Sequence, residues 1–138
     1  MDVRRIFISA MVVIGAGALV FSGAAQTASQ QKRASAVTAI RAINTAEMRF
    51  QQSSGHHASY SELVASGQFA NIKTSSVLNV SAADESDAVP GYKMQLIVAG
   101  SGASYSVVLT DASNPCETAF FTDERGVIYQ GQGLGCTQ

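Results

Sequence analysis

The chain has 138 residues, of which 46% are apolar and 14% are charged, and its formal net charge at pH 7 is −1. This length and composition fit one small globular domain, and the chain is too short for two independent cores. Without a basic stripe or a polybasic run, the chain is not expected to bind nucleic acid or an anionic membrane surface.

The N-terminal segment has the layout of a secretory signal. Two arginines precede an uncharged apolar run over residues 6–21, and small residues follow this run. We predict a signal peptide over residues 1–25, cleaved just before Ala25 or Gln26. Its removal leaves 7 basic and 9 acidic residues, a net charge of −2. The alternative is an uncleaved membrane anchor through residues 6–21, although this run is shorter than a typical hydrocarbon core.

The following residues predict a linker and then a long amphipathic helix. Residues 26–35 are mainly polar and are interpreted as a linker or a frayed first turn. From residue 34 to residue 52 there is no Gly or Pro, and apolar side chains recur at intervals of three and four, as on one helix face. Gly55 is suited to end the helix. The polar side chains predicted to lie largely on the opposite face are Arg41, Asn44, Glu47 and Gln51.

A second, short helix is predicted by a capping box. In this motif Ser59 caps the helix and the side chain of Glu62 bonds back to the Ser59 amide. Gly67 is expected to end the helix. Residues 71–90 have little apolar periodicity, so they are predicted to form a long, partly ordered connection.

The second half of the chain alternates apolar and polar side chains in the manner of β-strands. Residues 92–98 and 103–110 predict an antiparallel hairpin with one buried face. Residues 119–122 and 127–129, with a turn over 123–126, predict a second hairpin. The sequence therefore predicts an α+β fold, in which the long helix packs across one face of a small antiparallel β-meander.

Cys116 and Cys136 are the only cysteines, and they follow an export signal. We predict a structural disulfide between them. The two cysteines are too far apart in sequence for a redox Cys-x-x-Cys motif, and they are too few for a zinc site.

Several strings of the sequence resemble the type IV pilins and pseudopilins of bacteria. Residues 39–47, Ala-Ile-Arg-Ala-Ile-Asn-Thr-Ala-Glu, are similar to the second half of a pilin helix, and residues 55–58 and 60–67 to the segment and short helix that follow it. The C-terminal cysteine pair is similar to the disulfide-bounded region of many pilins. The resemblance implies a pilin-like α+β domain over residues 36–138.

One departure from the pilins concerns assembly. Assembling pilins carry a prepilin-peptidase site, a Gly followed by an aromatic residue or Met and then by a Glu inside the apolar helix. The apolar run of this chain contains no carboxylate. The resemblance therefore implies an exported pilin-like head, periplasmic or extracellular, with a structural or protein-interaction role. Its expected partner is another envelope protein or a second copy of itself, and a membrane only if the leader is retained.

Two oxygen-rich groups are candidates for binding calcium, which some pseudopilins bind in a loop of the β-region. Neither group has the spacing of a twelve-residue calcium loop, and solvated acidic turns are the simpler interpretation. A calcium-binding or small-ligand module is nevertheless the alternative function. The first group is Asp84, Glu85 and Asp87, and the second, preferred group is Asp111, Asn114, Glu117 and Asp123.

No set of residues predicts an enzyme. His56 and His57 lack further histidines to complete a metal site, and we expect them to be exposed beyond the helix end. Residues 131–135 are glycine-rich, but no helix follows them to bind phosphate. No Gly-x-Ser-x-Gly motif occurs. The tyrosines are interpreted as packing residues of the sheet and helices, with a ligand surface as the alternative; they are Tyr60, Tyr92, Tyr105 and Tyr129.

Overall fold

The computed structural model describes residues 24–72, 76–133 and 136, and it describes side chains from residue 28 onward. The apolar run over residues 6–21, and with it most of the predicted signal peptide, lies outside this part of the chain. Within the described residues, no helix is both long enough and apolar enough to span a membrane.

The fold is α+β, as the sequence predicted. A long helix and a short helix precede a four-stranded antiparallel sheet of strand order β1-β2-β3-β4. The elements are α1 (Ala24–Ser54), α2 (Tyr60–Ala65), a one-turn 3-10 helix (Glu85–Asp87), β1 (Tyr92–Ala99), β2 (Ser104–Asp111), β3 (Thr118–Asp123) and β4 (Tyr129–Gln132).

Helix α1 corrects the predicted linker, because residues 26–35 are helical. This segment is rich in Ala, Gln, Lys and Arg, which favour the helix, and no Gly or Pro occurs from Ala24 to Ser54. The polar side chains of residues 26–35 therefore indicate an exposed part of the helix and not a break in it. The helix ends as predicted, since Gly55 adopts a φ of +83°, a conformation that L-residues rarely take.

The core lies between one face of α1 and one face of the sheet. Small side chains of α1, including Ala36 and Ala39, are fully buried and allow close approach. In β1 and β2 alternate residues are buried, which confirms the predicted alternation. The largest fully buried apolar side chains are Phe120, Ile40, Ile43, Leu63, Leu78 and Leu109.

An ion pair attaches the N-terminal half of α1 to the end of β2. The Lys32 ammonium group donates a hydrogen bond to Asp111 and lies 5.2 Å from the centre of the Tyr92 ring. Asp111 also accepts hydrogen bonds from Ser113 and from the Asn114 amide. Lys32 and the Ser113 hydroxyl, together with these amides, hold the pKa of the Asp111 carboxyl well below its usual range.

Substitution of Asp111 by Asn is expected to lower the free energy of unfolding by about 1 kcal/mol at pH 7, because Asn keeps the local acceptor but loses the charge that binds Lys32. The folded-state pKa of Asp111 is depressed, so its contribution is present above about pH 4 and is lost as the pH falls below that value. Denaturant titrations from pH 7 to pH 2 should show the two proteins converging in acid. The matched control is Asp87→Asn, which breaks the exposed pair with Lys93 and should leave stability nearly unchanged.

The short helix α2 confirms the capping box. The Ser59 hydroxyl accepts the Glu62 amide, and the Glu62 carboxylate accepts the Ser59 amide at 2.8 Å. The connection after α2 is more ordered than predicted. Leu78, Ala88 and Val89 are buried, and the Glu85 carboxylate accepts the Leu96 amide at the outer edge of β1. This connection therefore covers one edge of the sheet.

The last hairpin differs from the prediction in its final strand. β4 begins at Tyr129, whereas residues 127–129 were predicted to be the strand, and Val127 lies in the loop with 48% exposure. The predicted turn itself is present, because the Gly126 amide donates to the Asp123 carbonyl at 2.8 Å and the Asp123 side chain accepts the Arg125 amide. Pairing with β3 resumes only at Tyr129, opposite Phe121, so residues 124–128 connect the two strands.

The predicted disulfide between Cys116 and Cys136 is present, with the two Cα atoms 5.4 Å apart. It joins Cys116, two residues before β3, to the chain beyond β4. Gly133 passes so close to the backbone of Pro115 that a Cβ atom would lie 2.1 Å from the Pro115 carbonyl oxygen. Only glycine fits this approach without displacement of the backbone, so the chain at Gly133 packs directly on the segment that carries Cys116.

Candidate functional site

A carboxylate is buried beneath the C-terminal half of α1, where the sequence predicted an exposed one. Glu47 is fully buried, and its Oε2 accepts hydrogen bonds from His57 Nδ1 at 3.1 Å and from the Ala58 amide at 3.2 Å. Its Oε1 is buried without a partner among the described residues. Burial raises the pKa of the Glu47 carboxyl, although the hydrogen bonds from Ala58 and His57 oppose this shift.

His57 is held in place from three directions. Its amide donates to the Gly102 carbonyl at 2.9 Å, its Nδ1 bonds to Glu47, and its ring lies against the Tyr105 ring with centroids 4.7 Å apart. Gly102 has a φ of +90°, and a Cβ there would come within 2.7 Å of His56, so the β1–β2 turn packs directly on this segment. The prediction of an exposed histidine pair is therefore wrong for His57, which is 6% exposed, and holds for His56.

A second polar network joins α1 to the sheet beside this pair. The Tyr105 hydroxyl donates to Asn44 Oδ1 at 2.9 Å, and Asn44 Nδ2 donates to the Thr122 hydroxyl at 3.1 Å. Burial raises the pKa of the Tyr105 hydroxyl, so Tyr105 remains a hydrogen-bond donor at physiological pH. The prediction that Asn44 lies on an outward face is also wrong, because its amide faces β2 and β3.

These groups form the floor of an open cleft of about 450 Å³, which we call the α1 cleft. One wall is α1, the floor includes His57 and Tyr105, and the other wall is the β3–β4 turn over residues 124–126. The side chains of α1 that line it are Arg41, Asn44, Thr45, Met48 and Gln51. Met48 is 52% exposed and provides an apolar surface at the rim.

The chemistry available in the α1 cleft is hydrogen bonding from fixed groups. His57 lines the cleft, and its Nε2 has no hydrogen-bond partner among the described residues. His57 does not activate either nearby hydroxyl as a nucleophile, because neither donates its proton to the imidazole. Thr45 donates to the Arg41 carbonyl, and Tyr105 donates to Asn44. The arrangement can therefore present an imidazole to a ligand without an activated nucleophile beside it.

The sequence contained a signal for the burial of Glu47. Glu47 follows Ile43 by four residues and precedes Phe50 by three, so helical spacing places it on the apolar face. Its assignment to the outward face followed the usual exposure of charged residues, not the spacing. No comparable signal marked His57, because neighbouring residues in an irregular segment have no fixed periodicity.

The preferred calcium candidates do not form one site. Asp111 is already bound by Lys32 and Ser113, and Asp123 is bound by Arg125. Asp123 lies opposite Ser106, five residues along β2 from Asp111, which separates the backbones of the two residues by about 17 Å. Asn114 accepts the Cys116 amide, and Glu117 is exposed. Across residues 24–72, 76–133 and 136, no three His, Cys, Asp or Glu side chains converge on a metal position.

The other acidic group and the remaining candidates have structural contacts. Asp84 caps the 3-10 helix and Asp87 pairs with Lys93. Tyr60, Tyr92 and Tyr105 are buried as packing residues, whereas Tyr129 is 46% exposed and stacks against Phe121. The glycine-rich segment over residues 131–135 is described only as far as Gly133, with residues 131 and 132 in β4.

Comparisons of the chain with protein-family models, with curated protein sequences and with solved structures found no match.

Proposed function

We propose that the chain is an exported, non-enzymatic, pilin-like domain that binds another protein of the cell envelope through the α1 cleft. The observation that carries this proposal is the floor of the cleft. There Glu47 holds His57 in place, and His57 Nε2 has no hydrogen-bond partner among the described residues. The pilin-like part is supported by the strings at residues 39–47 and 60–67, together with a helix packed on an antiparallel sheet.

Binding fits this floor better than catalysis does. Glu47 fixes the orientation of His57, and Tyr105 and Thr122 fix that of Asn44. Because these side chains are already ordered, the domain loses little side-chain entropy when a partner bonds to them. Met48 adds an adaptable apolar contact at the rim. An enzyme that used the His57–Glu47 pair would need a nucleophile whose proton His57 accepts, and the Thr45 and Tyr105 hydroxyls of the cleft donate to other acceptors.

Export is supported by the disulfide, because such bonds persist in oxidising compartments. The intact mass of protein from the envelope fraction of the native host tests it. A mass that lacks the first 24 or 25 residues, and that is two hydrogens lighter than the thiol form, is expected. An unprocessed, membrane-bound mass would instead support retention of the apolar run over residues 6–21 as an anchor, and free thiols in the mature protein would contradict export to an oxidising compartment.

Site-specific photo-crosslinking tests the binding surface. A p-benzoylphenylalanine side chain is introduced at position 48, in the cleft, or at position 95, on the exposed outer face of β1. We expect one discrete crosslinked product in the native envelope from position 48 and none of the same mass from position 95. The crosslinked product should contain the domain and one other protein species in a fixed molar ratio.

The control uses two arginines of the same helix. Arg41 lines the cleft, whereas Arg49 is exposed and does not line it. Added to the position-48 protein, Arg41→Glu should remove the crosslinked product and Arg49→Glu should leave it. Equal loss with both substitutions, or the same product from position 95, would contradict the cleft as the binding surface.

A further inference from the structure

A second groove lies between α2 and residues 80–85 and shares no lining residue with the α1 cleft. Its volume is about 480 Å³. Tyr60 lies in the groove with 4% exposure, and its hydroxyl donates to the Asn79 carbonyl, so the base of the groove is fixed. We call it the α2 groove. Its aliphatic lining consists of Val64, Ala65, Val80, Ala82 and Ala83.

The aliphatic lining of the α2 groove is partly open to solvent. Val80 is 37% exposed, and Val64, which packs against the core, is half-buried. Contact with an aliphatic side chain of a partner would remove this surface from water, which is favourable.

Two carboxylates lie at one end of the same groove. Asp84 uses one oxygen to accept the Ser86 amide at 2.8 Å, and Glu85 uses one oxygen to accept the Leu96 amide at 3.2 Å. The second oxygen of each group accepts no hydrogen bond from the described residues. The fold thus fixes both carboxylates through one oxygen and leaves the other available.

The charge at this end is negative. Residues 76–91 contain three acidic side chains and no Lys or Arg. Of the three, Asp87 is bound by Lys93, which acts on Asp84 only at longer range. The hydrogen bond from the Ser86 amide lowers the pKa of the Asp84 carboxyl, so Asp84 is ionised at neutral pH. A cation is therefore favoured here, and an anionic lipid surface or a nucleic acid is disfavoured.

We propose that the α2 groove is a second interaction surface, which takes a segment of a partner protein in which a Lys or Arg lies next to aliphatic side chains. The aliphatic residues would lie against Val64 and Val80, and the cation would bind the available oxygens of Asp84 and Glu85. This proposal goes beyond the binding proposed for the α1 cleft and does not depend on it.

Nuclear magnetic resonance of the full disulfide-closed protein tests the proposal with two peptides, acetyl-Gly-Val-Lys-Leu-Gly-amide and the same peptide with Glu in place of Lys. The Lys peptide is expected to shift the amide resonances of Val64, Val80 and Ala82 in a saturable way, and the Glu peptide to bind at least ~tenfold more weakly. The double variant D84N/E85Q keeps both backbone hydrogen-bond acceptors and should weaken the Lys peptide by ~tenfold. Asp87→Asn should leave its affinity unchanged.

Three results would overturn the proposal. They are equal binding of the two peptides, shifts that map outside the groove, and unchanged affinity in D84N/E85Q with a native spectrum. If that double variant does not fold, Val80→Ser in the otherwise native chain tests the aliphatic contact, and unchanged binding of the Lys peptide would again reject the groove. None of these outcomes bears on the crosslink at position 48, so the two proposals fail separately.

Discussion

Replacement of Glu47 by Ala is expected to lower the free energy of unfolding by about 3 kcal/mol at pH 7. The substitution leaves the Ala58 amide and His57 Nδ1 without their buried acceptor and opens a cavity beneath α1. It also disconnects α1 from the segment that bonds to the Gly102 carbonyl. Because domains of this size are stable by about 5–10 kcal/mol, this is a large fraction of the total. Urea denaturation monitored by circular dichroism measures it.

The matched control for Glu47 is Gln51→Ala, one turn later on the same helix and exposed, which should change stability by no more than about 0.5 kcal/mol. An equal, small effect of both substitutions would mean that the unpaired Oε1 offsets the two bonds made by Oε2. Loss of the crosslink at position 48 in Glu47→Ala is also expected, because the orientation of His57 depends on Glu47.

Substitution of Glu47 by Gln removes the titratable proton and keeps the shape of the side chain. The folded-state pKa of Glu47 is raised, so its carboxyl contributes stability below about pH 4.3, and this contribution is lost as the pH rises through the folded-state pKa. Gln does not titrate. The free energy of unfolding of the wild type should therefore fall relative to that of Glu47→Gln as the pH rises from 4 to 8. A constant difference over this range would show that burial does not raise the pKa of Glu47.

The strands and the capping box could be predicted because local spacing determines them. A strand with one buried face alternates, and the predicted inward positions from Tyr92 to Leu96 and from Tyr105 to Leu109 are buried. Val98 is only half-buried, and Ala103 is exposed before β2 begins. The capping box needs only Ser59 and Glu62, which are three residues apart. The start of β4 could not be predicted, because Val127 favours a strand by its local propensity, whereas pairing with β3 resumes only at Tyr129.

The candidate site depends on contacts across long stretches of sequence. Asn44 bonds to Thr122 across 78 residues, and Lys32 bonds to Asp111 across 79. Neither pair has a local pattern, so polarity alone assigned Asn44 to solvent and residues 26–35 to a linker. Glu47 was also assigned to the outward face, although its spacing from Ile43 and Phe50 fits the buried face on which it lies. A carboxylate at an apolar position of a helix was thus the one sequence feature that pointed to the α1 cleft.

Removal of the disulfide by the double substitution of Cys116 and Cys136 with Ala is expected to lower the free energy of unfolding by about 3 kcal/mol. The bond closes a loop with a sequence separation of 20, and the entropy of that loop in the unfolded chain gives this magnitude. The fold adds a local effect. All four residues of β4 are exposed and pair only with β3, so few buried contacts hold this strand without the bond.

Hydrogen exchange separates the global effect of the disulfide from the local one. In the double Ala variant, amides of the β3–β4 ladder around Phe121 and Tyr129 should lose protection first, while those of the β1–β2 ladder should lose only what the global stability loses. The 124–126 wall of the α1 cleft belongs to the same hairpin, so the crosslink from position 48 should weaken in reducing conditions. Uniform loss of protection across all four strands would show that β4 is held by the core and not by the disulfide, because a locally pinned strand must open before the rest.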